Sequence, residues 1–303
     1  MYNMWDSLYT GVIQGDVKLI ARAISLVENE QEGYIAFLEQ LPQRAVPVLG
    51  ITGPPGAGKS TLTDALIGMA VQQGKKVAVI CIDPSSPFHF GALLGDRIRL
   101  NQWYLDDHVF IRSLASRGAM GGLNPKIIEI TDLLKAAPFD LIIVETVGVG
   151  QSEVEIAGLA EVTVVVLVPE AGDEVQTMKA GLMEVADIFV VNKSDRPGAT
   201  IFLKNLQQML APAFSGTSRL PLIVPTVAHE MKGVAELYAG LSRKIEEAHS
   251  NERKGWLLAE KAYQLLQKKR MQGIDRRRLK DAIEAGIRSG RFNLYQFVRE
   301  HEK

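Results

Sequence analysis

The sequence is poor in side chains that form cross-links or bind transition metals: it has one cysteine and five histidines among 303 residues. The single cysteine, Cys81, excludes an internal disulfide and is compatible with a reducing compartment. The histidines lack the spacings of a transition-metal site and stand at His89, His108, His229, His249 and His301. Magnesium, which prefers oxygen ligands, remains open.

The sequence also lacks an excess of charge of either sign and any long apolar run. The formal net charge is −1 and the pI is near 6.5, so bulk electrostatics give no reason to expect a nucleic-acid partner. The start of the chain lacks the basic and apolar regions of a signal peptide, and no run approaches the roughly 18 apolar residues that span a bilayer. We expect a soluble, cytoplasmic protein with neither a membrane nor a nucleic-acid partner.

The pattern of apolar residues divides the chain into three predicted domains. A chain of 303 residues fits about two domains, or one α/β domain with extensions. Helical spacing predicts a helical pair in an N-terminal extension, residues 1–44. Residues 45–249 alternate short β-branched runs with longer amphipathic segments, which predicts an α/β fold with a mostly parallel sheet flanked by helices.

The third predicted domain, residues 250–303, has no strand-like run and is basic, with fourteen Lys or Arg against seven Asp or Glu. Its apolar residues recur at helical spacing. One interpretation is a solvated helical tail. The interpretation we favour is a dimerisation arm that buries its apolar stripe against another subunit, since five large side chains would otherwise form an exposed patch: Trp256, Leu265, Phe292, Tyr295 and Phe297.

The strongest local signal is GPPGAGKS, Gly53 to Ser60, which fits the phosphate-binding pattern G-x-x-x-x-G-K-[ST]. Its glycines let backbone N–H groups curl around phosphate oxygens, and Lys59 adds a positive charge at the β- and γ-phosphates. Ser60 can ligate Mg²⁺, and the helix that follows directs its positive dipole end at the anion. A predicted strand before the segment and a predicted helix after it provide the expected context.

A second segment, VETVG, ends an apolar strand with the carboxylate of Glu145. In a P-loop fold this acid lies at the tip of a strand close to the P-loop strand, where it can act near the metal. Gly148, three residues later, would let a backbone N–H approach the γ-phosphate. The alternative is a purely structural role, in which a glutamate at the end of the strand is hydrogen-bonded to a nearby loop.

A third segment, NKSD, follows another predicted strand and matches the pattern N-K-x-D. The carboxylate of Asp195 can accept hydrogen bonds from the ring N–H and the amino group of guanine, and adenine offers no such donor pair. Sites of this kind can discriminate by roughly 10⁴-fold or more. With Asn192 and Lys193, the segment therefore predicts a guanine nucleotide.

Two further acids lie between the first two segments. Asp83 ends the second predicted strand, and Asp96 lies in the loop-to-helix region that follows it. In a GTPase a mobile segment at this place senses the γ-phosphate and its metal. The alternative for Asp96 is a surface ion pair with Arg97 or Arg99.

The chain resembles the MeaB/ArgK-type GTPases of the SIMIBI class of P-loop proteins, in the combination of GPPGAGKST, IDPSSPF, GALLGDRIRL, RGAMGGL, VETVGVGQSE, PEAGDEVQTMKAG and NKSD. The resemblance covers nearly the whole chain. It implies a Mg²⁺-dependent GTP hydrolase, cycling between GTP and GDP, that acts as a chaperone for an adenosylcobalamin-dependent acyl-CoA mutase, chiefly methylmalonyl-CoA mutase. It also implies a homodimer formed through the C-terminal arm.

The resemblance implies a role for each matching residue. The nucleotide would be bound by Gly53, Gly56, Ala57, Gly58, Lys59, Ser60, Thr61, Gly148, Asn192, Lys193 and Asp195. The metal would be held by Ser60, Asp83, Asp96 and Glu145, and the catalytic residues would be Lys59, Asp83, Asp96 and Glu145. The segment from Glu170 to Lys179, with Asp173 and Lys179 as its polar members, would be an extra switch that couples the nucleotide state to the mutase.

Two departures from related GTPases affect the expected mechanism. Val149 follows Gly148, where small GTPases place a glutamine that positions water, so we predict slow intrinsic hydrolysis that a partner accelerates. Candidate helpers are Gln151, Arg97 and Arg112. The family more often has small residues and glycine where His89 and Phe90 stand, which concerns the mobility of the first switch.

Two other functional classes share the P-loop. A nickel-type metallochaperone GTPase would need His or Cys ligands near the switches, for which Cys81 beside Asp83 is the one hint. A transport-associated ATPase or kinase would prefer ATP, which Asp195 opposes.

Overall fold

A computed structural model describes residues 4–83, 100–116, 123–148, 152–171, 186–213, 221–247, 252–270, 276–288, 290 and 292–301. Several sequence predictions lie outside these residues: the region of Asp96 and Arg97, the pair His89 and Phe90, Gln151, and most of the segment 170–179, including Asp173 and Lys179.

A seven-stranded parallel sheet forms the centre of the described part of the chain. The strands are β1 (Val48–Thr52), β2 (Val77–Asp83), β3 (Val109–Ala115), β4 (Leu141–Glu145), β5 (Val162–Leu167), β6 (Ile188–Val191) and β7 (Leu222–Pro225). Their order in the sheet is β3-β2-β4-β1-β5-β6-β7. The strands predicted from the short β-branched runs are confirmed, and the described sheet is parallel throughout rather than mostly parallel.

Eleven α-helices accompany the sheet in the described residues. They are α1 (Met4–Gln14), α2 (Val17–Glu28), α3 (Tyr34–Gln40), α4 (Lys59–Gln72), α5 (Ile127–Ala136), α6 (Ser152–Leu159), α7 (Ala199–Ala213), α8 (Val234–Glu247), α9 (Glu252–Arg270), α10 (Arg276–Arg288) and α11 (Leu294–His301). Short 3-10 turns occur at Asn101–Trp103, Pro169–Ala171 and Ala228–Glu230.

Helices cover both faces of the sheet, as the continuous apolar runs predict. Alternate residues of a strand face opposite layers: Val164 packs in the core formed with α4 and α8, and its neighbour Val165 packs in a core with α7. Burying one such side chain contributes about 1.5–3 kcal/mol. The sheet is therefore a rigid base for the loops at its carboxyl edge.

The N-terminal region contains three helices where the sequence analysis expected two. The helix α1 has only Leu8, Gly11 and Val12 buried. A Cβ on Gly11 would lie 2.2 Å from a methyl carbon of Leu19 on α2, so the glycine permits the close approach of the two helices. Apolar residues do recur in α1 at helical spacing, at positions 4, 5, 8, 9, 12 and 13, so the sequence carries a helix signal here that the expected pair left out.

A buried lysine joins this region to the sheet domain. Lys126, just before α5, contacts Glu30 at 2.8 Å and Glu129 at 3.2 Å, and its ammonium lies 4.8 Å from the ring centre of Tyr34. Burial opposes the charged form, but the hydrogen bond to Glu30 and the charge of Glu129 outweigh it and raise the pKa of Lys126. The ion pairs therefore fix the N-terminal helices against α5.

The Cα positions form two compact units, Met1–Lys254 and Gly255–Lys303. The division at 44 and 249 stays a prediction, because the N-terminal helices and the sheet fall in one unit. Nowhere in the described ranges is a helix both long enough and apolar enough to cross a membrane.

The second unit consists of most of α9 together with α10 and α11, and it exposes large apolar side chains. Trp256 is 80% exposed and Tyr295 is 84% exposed. Tyr263, Leu266, Ile287 and Leu294 are each more than half exposed. The helices predicted for this region are confirmed. Of the five large side chains predicted to be exposed, Trp256 and Tyr295 are exposed and the other three are half-buried.

Candidate functional site

The loop from β1 to α4 has the backbone that its glycines predict. Gly53, Gly56 and Gly58 have φ angles of 139°, 76° and 90°, which side chains other than glycine rarely adopt. A Cβ on Gly53 would lie 2.1 Å from the carbonyl oxygen of Val166, and one on Gly58 would lie 2.3 Å from Nδ2 of Asn192. Conformation and space both require glycine, and α4 begins directly after this loop.

The side chain of Lys59 is folded back over the loop. Its Nζ donates hydrogen bonds to the carbonyl oxygens of Gly53 at 3.0 Å and Pro54 at 3.2 Å, and the residue is 7% exposed. Ala57 is buried in the same loop, whereas Thr61 is exposed in the first turn of α4. The ammonium group is therefore held at the mouth of the loop, where a polyphosphate would bind.

The carboxylate of Glu145 joins the adjacent strand β4 to the first turns of α4. Ser60 Oγ donates to Glu145 Oε1 at 2.7 Å, and Thr63 Oγ1 donates to Oε2 at 2.8 Å. Glu145 is 3% exposed, and in the sheet it stands opposite Ile51 of β1. The structure thus brings Ser60 and Glu145 together, as predicted. The hydrogen-bond donors to the Glu145 carboxylate lie on α4 and not on a nearby loop, which was the alternative.

The other predicted acid of this edge, Asp83, ends β2 and is 4% exposed. Because Cys81 stands opposite Glu145 in the sheet, Asp83 extends two residues further toward the carboxyl edge. Its backbone oxygen accepts a hydrogen bond from the N–H of Ser116 at 3.0 Å. Two buried carboxylates and one hydroxyl therefore lie on adjacent elements beside the loop.

Gly148 lies against the loop with a φ angle of 85°. A Cβ at this position would lie 2.4 Å from the carbonyl oxygen of Gly53 and 2.5 Å from Nζ of Lys59. Nearby, Thr146 Oγ1 donates to Thr52 Oγ1 at 2.9 Å. The segment after β4 therefore approaches the loop at the closest distance that glycine permits.

The NKSD segment holds the same loop from the other side. Asn192 Nδ2 donates to the carbonyl oxygen of Ala57 at 2.9 Å, and Lys193 Nζ donates to that of Gly56 at 2.7 Å. Oδ1 of Asn192 accepts hydrogen bonds from Thr226 Oγ1 and the N–H of Ala228, both at 3.1 Å. Asn192 therefore ties the phosphate loop to the segment after β7.

The carboxylate of Asp195 lies at the exposed end of this segment. Lys232 is near it: the pKa of Lys232 is raised by its hydrogen bond to Glu230, by the charge of Glu230, and by the charge of Asp195. The next residue, Arg196, pairs with Glu170 after β5. Asp195 is thus placed to meet a ligand from solvent, separate from the buried acids.

Sequence reasoning missed three residues that take part in this network: Thr63, Thr226 and Ala228. Thr63 is fully buried one turn after Ser60, and helical spacing is the signal that could have found it. Thr226 and Ala228 follow the last strand, so their position at the carboxyl edge of the sheet was the available signal.

The candidate helper Arg112 lies elsewhere. Its Nη2 donates to Ser25 Oγ on α2 at 2.9 Å, so in the described residues it serves the packing of the N-terminal helices. Asp96, Arg97 and Gln151 belong to the residues that the structure does not describe.

The donors at this edge fit a hard cation. Hydroxyl and carboxylate oxygens are the ligands that Mg²⁺ takes, usually with phosphate oxygens and water. Across the described residues there is no group of three or more His, Cys, Asp or Glu that could hold a metal ion unaided. Ser60, Asp83 and Glu145 are the described residues that could contribute oxygen ligands to such a cation.

Comparison with known proteins identifies the family of this chain. Residues 20–283 match the family described as methylmalonyl-CoA mutase-associated GTPase MeaB. A putative GTPase of Pyrococcus abyssi is 44% identical over 297 residues, covering 95% of this chain and 89% of that protein. A mouse protein named methylmalonic aciduria type A homolog, mitochondrial, is 36% identical over 206 residues, covering 63% of this chain and 50% of its own.

Among solved structures, that of a LAO/AO transport system kinase has a TM-score of 0.67 and 26% identity, covering 99% of this chain and 97% of that one. The P-loop NTPase fold predicted from the sequence is thereby confirmed. The chain belongs to the MeaB family and is a GTP hydrolase that binds GTP and GDP.

Proposed function

We propose that this MeaB-family GTPase binds its nucleotide with Mg²⁺ at the carboxyl edge of the sheet and serves as a chaperone for an adenosylcobalamin-dependent acyl-CoA mutase. The observation that carries the nucleotide site is the hydrogen bond from Ser60 to Glu145 beside the glycine loop. The family description, which names a mutase-associated GTPase, supports the client.

The chain supplies positive charge and N–H donors to the phosphates. The backbone N–H groups of the loop and the ammonium of Lys59 neutralise charge that builds on the transferring group, which is the main contribution of a protein to phosphoryl transfer. When bound, Mg²⁺ supplies further neutralisation of the phosphate oxygens. Ser60, Asp83, Asp96 and Glu145 would hold it.

The chain also orients the base. Asp195 accepts hydrogen bonds from the two donors of guanine, while Asn192 and Lys193 keep its loop attached to the phosphate loop. The base and phosphate parts of the site are therefore mechanically joined. This arrangement supports the assignment of the remaining binding residues: Gly53, Gly56, Ala57, Gly58, Thr61 and Gly148.

Intrinsic hydrolysis is slow in this proposal, because Val149 has no side-chain hydrogen bond to offer an attacking water. The mutase, or a segment that the mutase orders, completes the site. The segment from Glu170 to Lys179 is the proposed link between nucleotide state and client. A cytoplasmic location fits these partners.

The C-terminal helices are the proposed dimerisation arm. Their exposed apolar side chains, such as Trp256 and Tyr295, exceed what a solvated tail requires. Covering them with a second copy of the chain would give a closed homodimer.

Purified components provide the test of the client. The protein is mixed with the adenosylcobalamin-dependent mutase from its own source, and GTP hydrolysis and complex formation are measured. We expect the mutase to accelerate hydrolysis by about tenfold or more, as partners do in related GTPases. An acyl-CoA enzyme without cobalamin is the matched control. Equal rates with and without the mutase, and no complex in either nucleotide state, would reject the chaperone role.

A further inference from the structure

The side chain of Glu145 is held on two hydroxyl groups of one helix. Ser60 and Thr63 are three residues apart on α4, so they lie on the same face, and each donates to a different oxygen of the carboxylate. Thr63 is 0% exposed and Glu145 is 3% exposed. The network is therefore shielded from water.

We propose that Thr63 is a positioning residue for the magnesium site, acting through Glu145. It fixes one carboxylate oxygen so that the other stays directed at the hydroxyl of Ser60. The inference rests on the proposed function, since it concerns how the chain prepares a site for Mg²⁺.

The orientation of the Ser60 hydroxyl depends on where its single proton is donated. A hydroxyl group has one proton to donate and two lone pairs to offer. When its proton is committed to Glu145 Oε1, the lone pairs of Ser60 Oγ are left for a cation. Any rotation of the carboxylate that breaks this bond allows the hydroxyl to turn, and the ligand loses its orientation.

The length of the glutamate explains why a second anchor is needed. Glu145 has one more methylene group than an aspartate, so its carboxylate has an additional torsion to restrict. A buried carboxylate also requires hydrogen-bond donors on both oxygens to offset its desolvation. The hydroxyl of Thr63 meets both needs, because it lies one helical turn beyond Ser60 and reaches Oε2 at 2.8 Å.

A second buried helical threonine does not donate its hydroxyl to a carboxylate as Thr63 does. Thr131 on α5 is 1% exposed, and its hydroxyl donates to the carbonyl oxygen of Ile127 in its own helix at 2.6 Å. Both residues are buried and helical, but the hydroxyl of Thr63 donates to a predicted metal ligand. Thr131 therefore offers a matched control.

The experiment measures how strongly Mg²⁺ tightens GDP binding. The dissociation constant of GDP is determined by calorimetry in excess Mg²⁺ and in EDTA, and the ratio of the two is the readout. Thr63→Val, which keeps the shape and removes the hydroxyl, should lower this ratio by about tenfold, the effect of losing a hydrogen bond to a charged group. Its affinity in EDTA should stay within about twofold of wild type.

Two variants show whether the hydroxyl is responsible. Thr63→Ser should restore the ratio, because it returns the hydroxyl to the same position. Thr131→Val should leave the ratio unchanged. Thermal unfolding of all variants shows whether each is folded, and the Thr131→Val change provides the stability loss expected for a buried hydroxyl alone.

A double-mutant cycle tests the route through Glu145. In Glu145→Asp the shorter side chain cannot hold both hydroxyls, so adding Thr63→Val should have no further effect on the ratio. A ratio in Thr63→Val equal to that of Thr131→Val, or a full additional loss in the Glu145→Asp background, would overturn the inference alone. A wild-type ratio of one would overturn the proposed magnesium site and this inference with it.

Discussion

The carboxyl edge of the sheet buries polar side chains, whereas the C-terminal helices expose apolar ones. At the edge, polar groups are buried and paired with one another: Glu145 with Ser60, and Asn192 with Ala57. In the helices of the second unit, apolar groups face solvent, and Trp256 is 80% exposed. The buried polar groups have hydrogen-bond partners within the chain, so their burial is compensated. The exposed apolar groups would be costly if nothing else bound there.

The difference distinguishes a site whose side chains are positioned by contacts within one chain from a surface that we propose is covered by a partner. Contacts between β1, β4 and α4 already position Ser60 and Glu145, so changes there should act on the nucleotide. We propose that a second copy of the chain covers the exposed apolar side chains of the second unit, so changes there should act on association. Four variants test this separation, from the largest expected effect to the smallest.

Asp195→Asn should produce the largest change, in the choice of base. The amide N–H of the asparagine would face the amino group of guanine, which is also a donor. Xanthine has a carbonyl oxygen, an acceptor, in place of that amino group. We expect the preference for GTP over xanthosine triphosphate to fall by about 10³-fold or more, measured by competition binding. Asp107→Asn, at another exposed aspartate, is the control. Unchanged GTP affinity would contradict the assignment of the base site.

Lys59→Ala should reduce kcat/KM for GTP hydrolysis by about 10²–10³-fold, the loss expected when one positioned donor is removed from a developing charge. Steady-state phosphate release measures the rate, and circular dichroism checks the fold. Lys204→Ala removes an exposed lysine of α7 and should have no effect. Retention of more than half the activity by Lys59→Ala would place catalysis elsewhere.

The double change Trp256→Ser and Tyr295→Ser should weaken self-association by about 30-fold or more, since large aromatic residues dominate interface energies. Sedimentation across a range of concentrations gives the dissociation constant. The change Ile201→Ser, at a residue of α7 that is 68% exposed, is the control for lost surface hydrophobicity. If the double variant and wild type sediment alike, the arm does not form the dimer.

Arg196→Gln should have the smallest effect, a loss of about 0–1 kcal/mol from the free energy of unfolding, because the ion pair with Glu170 is exposed. The hydrogen bond from Arg196 lowers the pKa of Glu170. Its contribution to stability is therefore present above the ordinary pKa of a glutamate and is lost as the pH falls through the lowered value.

Denaturant unfolding at neutral and at acidic pH measures this contribution. Wild type and Arg196→Gln should differ slightly at neutral pH and converge at the acidic end. A difference that grows as the pH falls would contradict the assigned role of the pair.

The sequence predicts the central architecture well, because the signals for its strands and its glycine loop lie within short segments of the chain. Each β-branched run, such as Val162 to Leu167, reads as a buried strand without knowledge of its neighbours, and all seven runs form strands. The glycine loop is equally local, since the φ angles of Gly53 and Gly58 are properties of those positions. The helix α1 is missed although its apolar residues recur at helical spacing, because it is short and Gly11 interrupts the pattern near its end.

Contacts between distant segments could not be predicted in the same way. That Thr63 meets Glu145 depends on β4 lying next to β1, and that Asn192 meets Ala228 depends on β7 lying next to β6. The order of the strands is a property of the whole fold. The sequence could place these residues at one edge of the sheet, but not choose their hydrogen-bond partners.

The most direct test is to measure the binding of GDP to the purified protein by calorimetry, first in the presence of magnesium and then after the magnesium has been chelated. We expect saturable binding of one nucleotide per chain that weakens when the cation is removed. Absence of binding heat at millimolar GDP in the presence of magnesium would contradict the claim that this edge of the sheet is a guanine-nucleotide site.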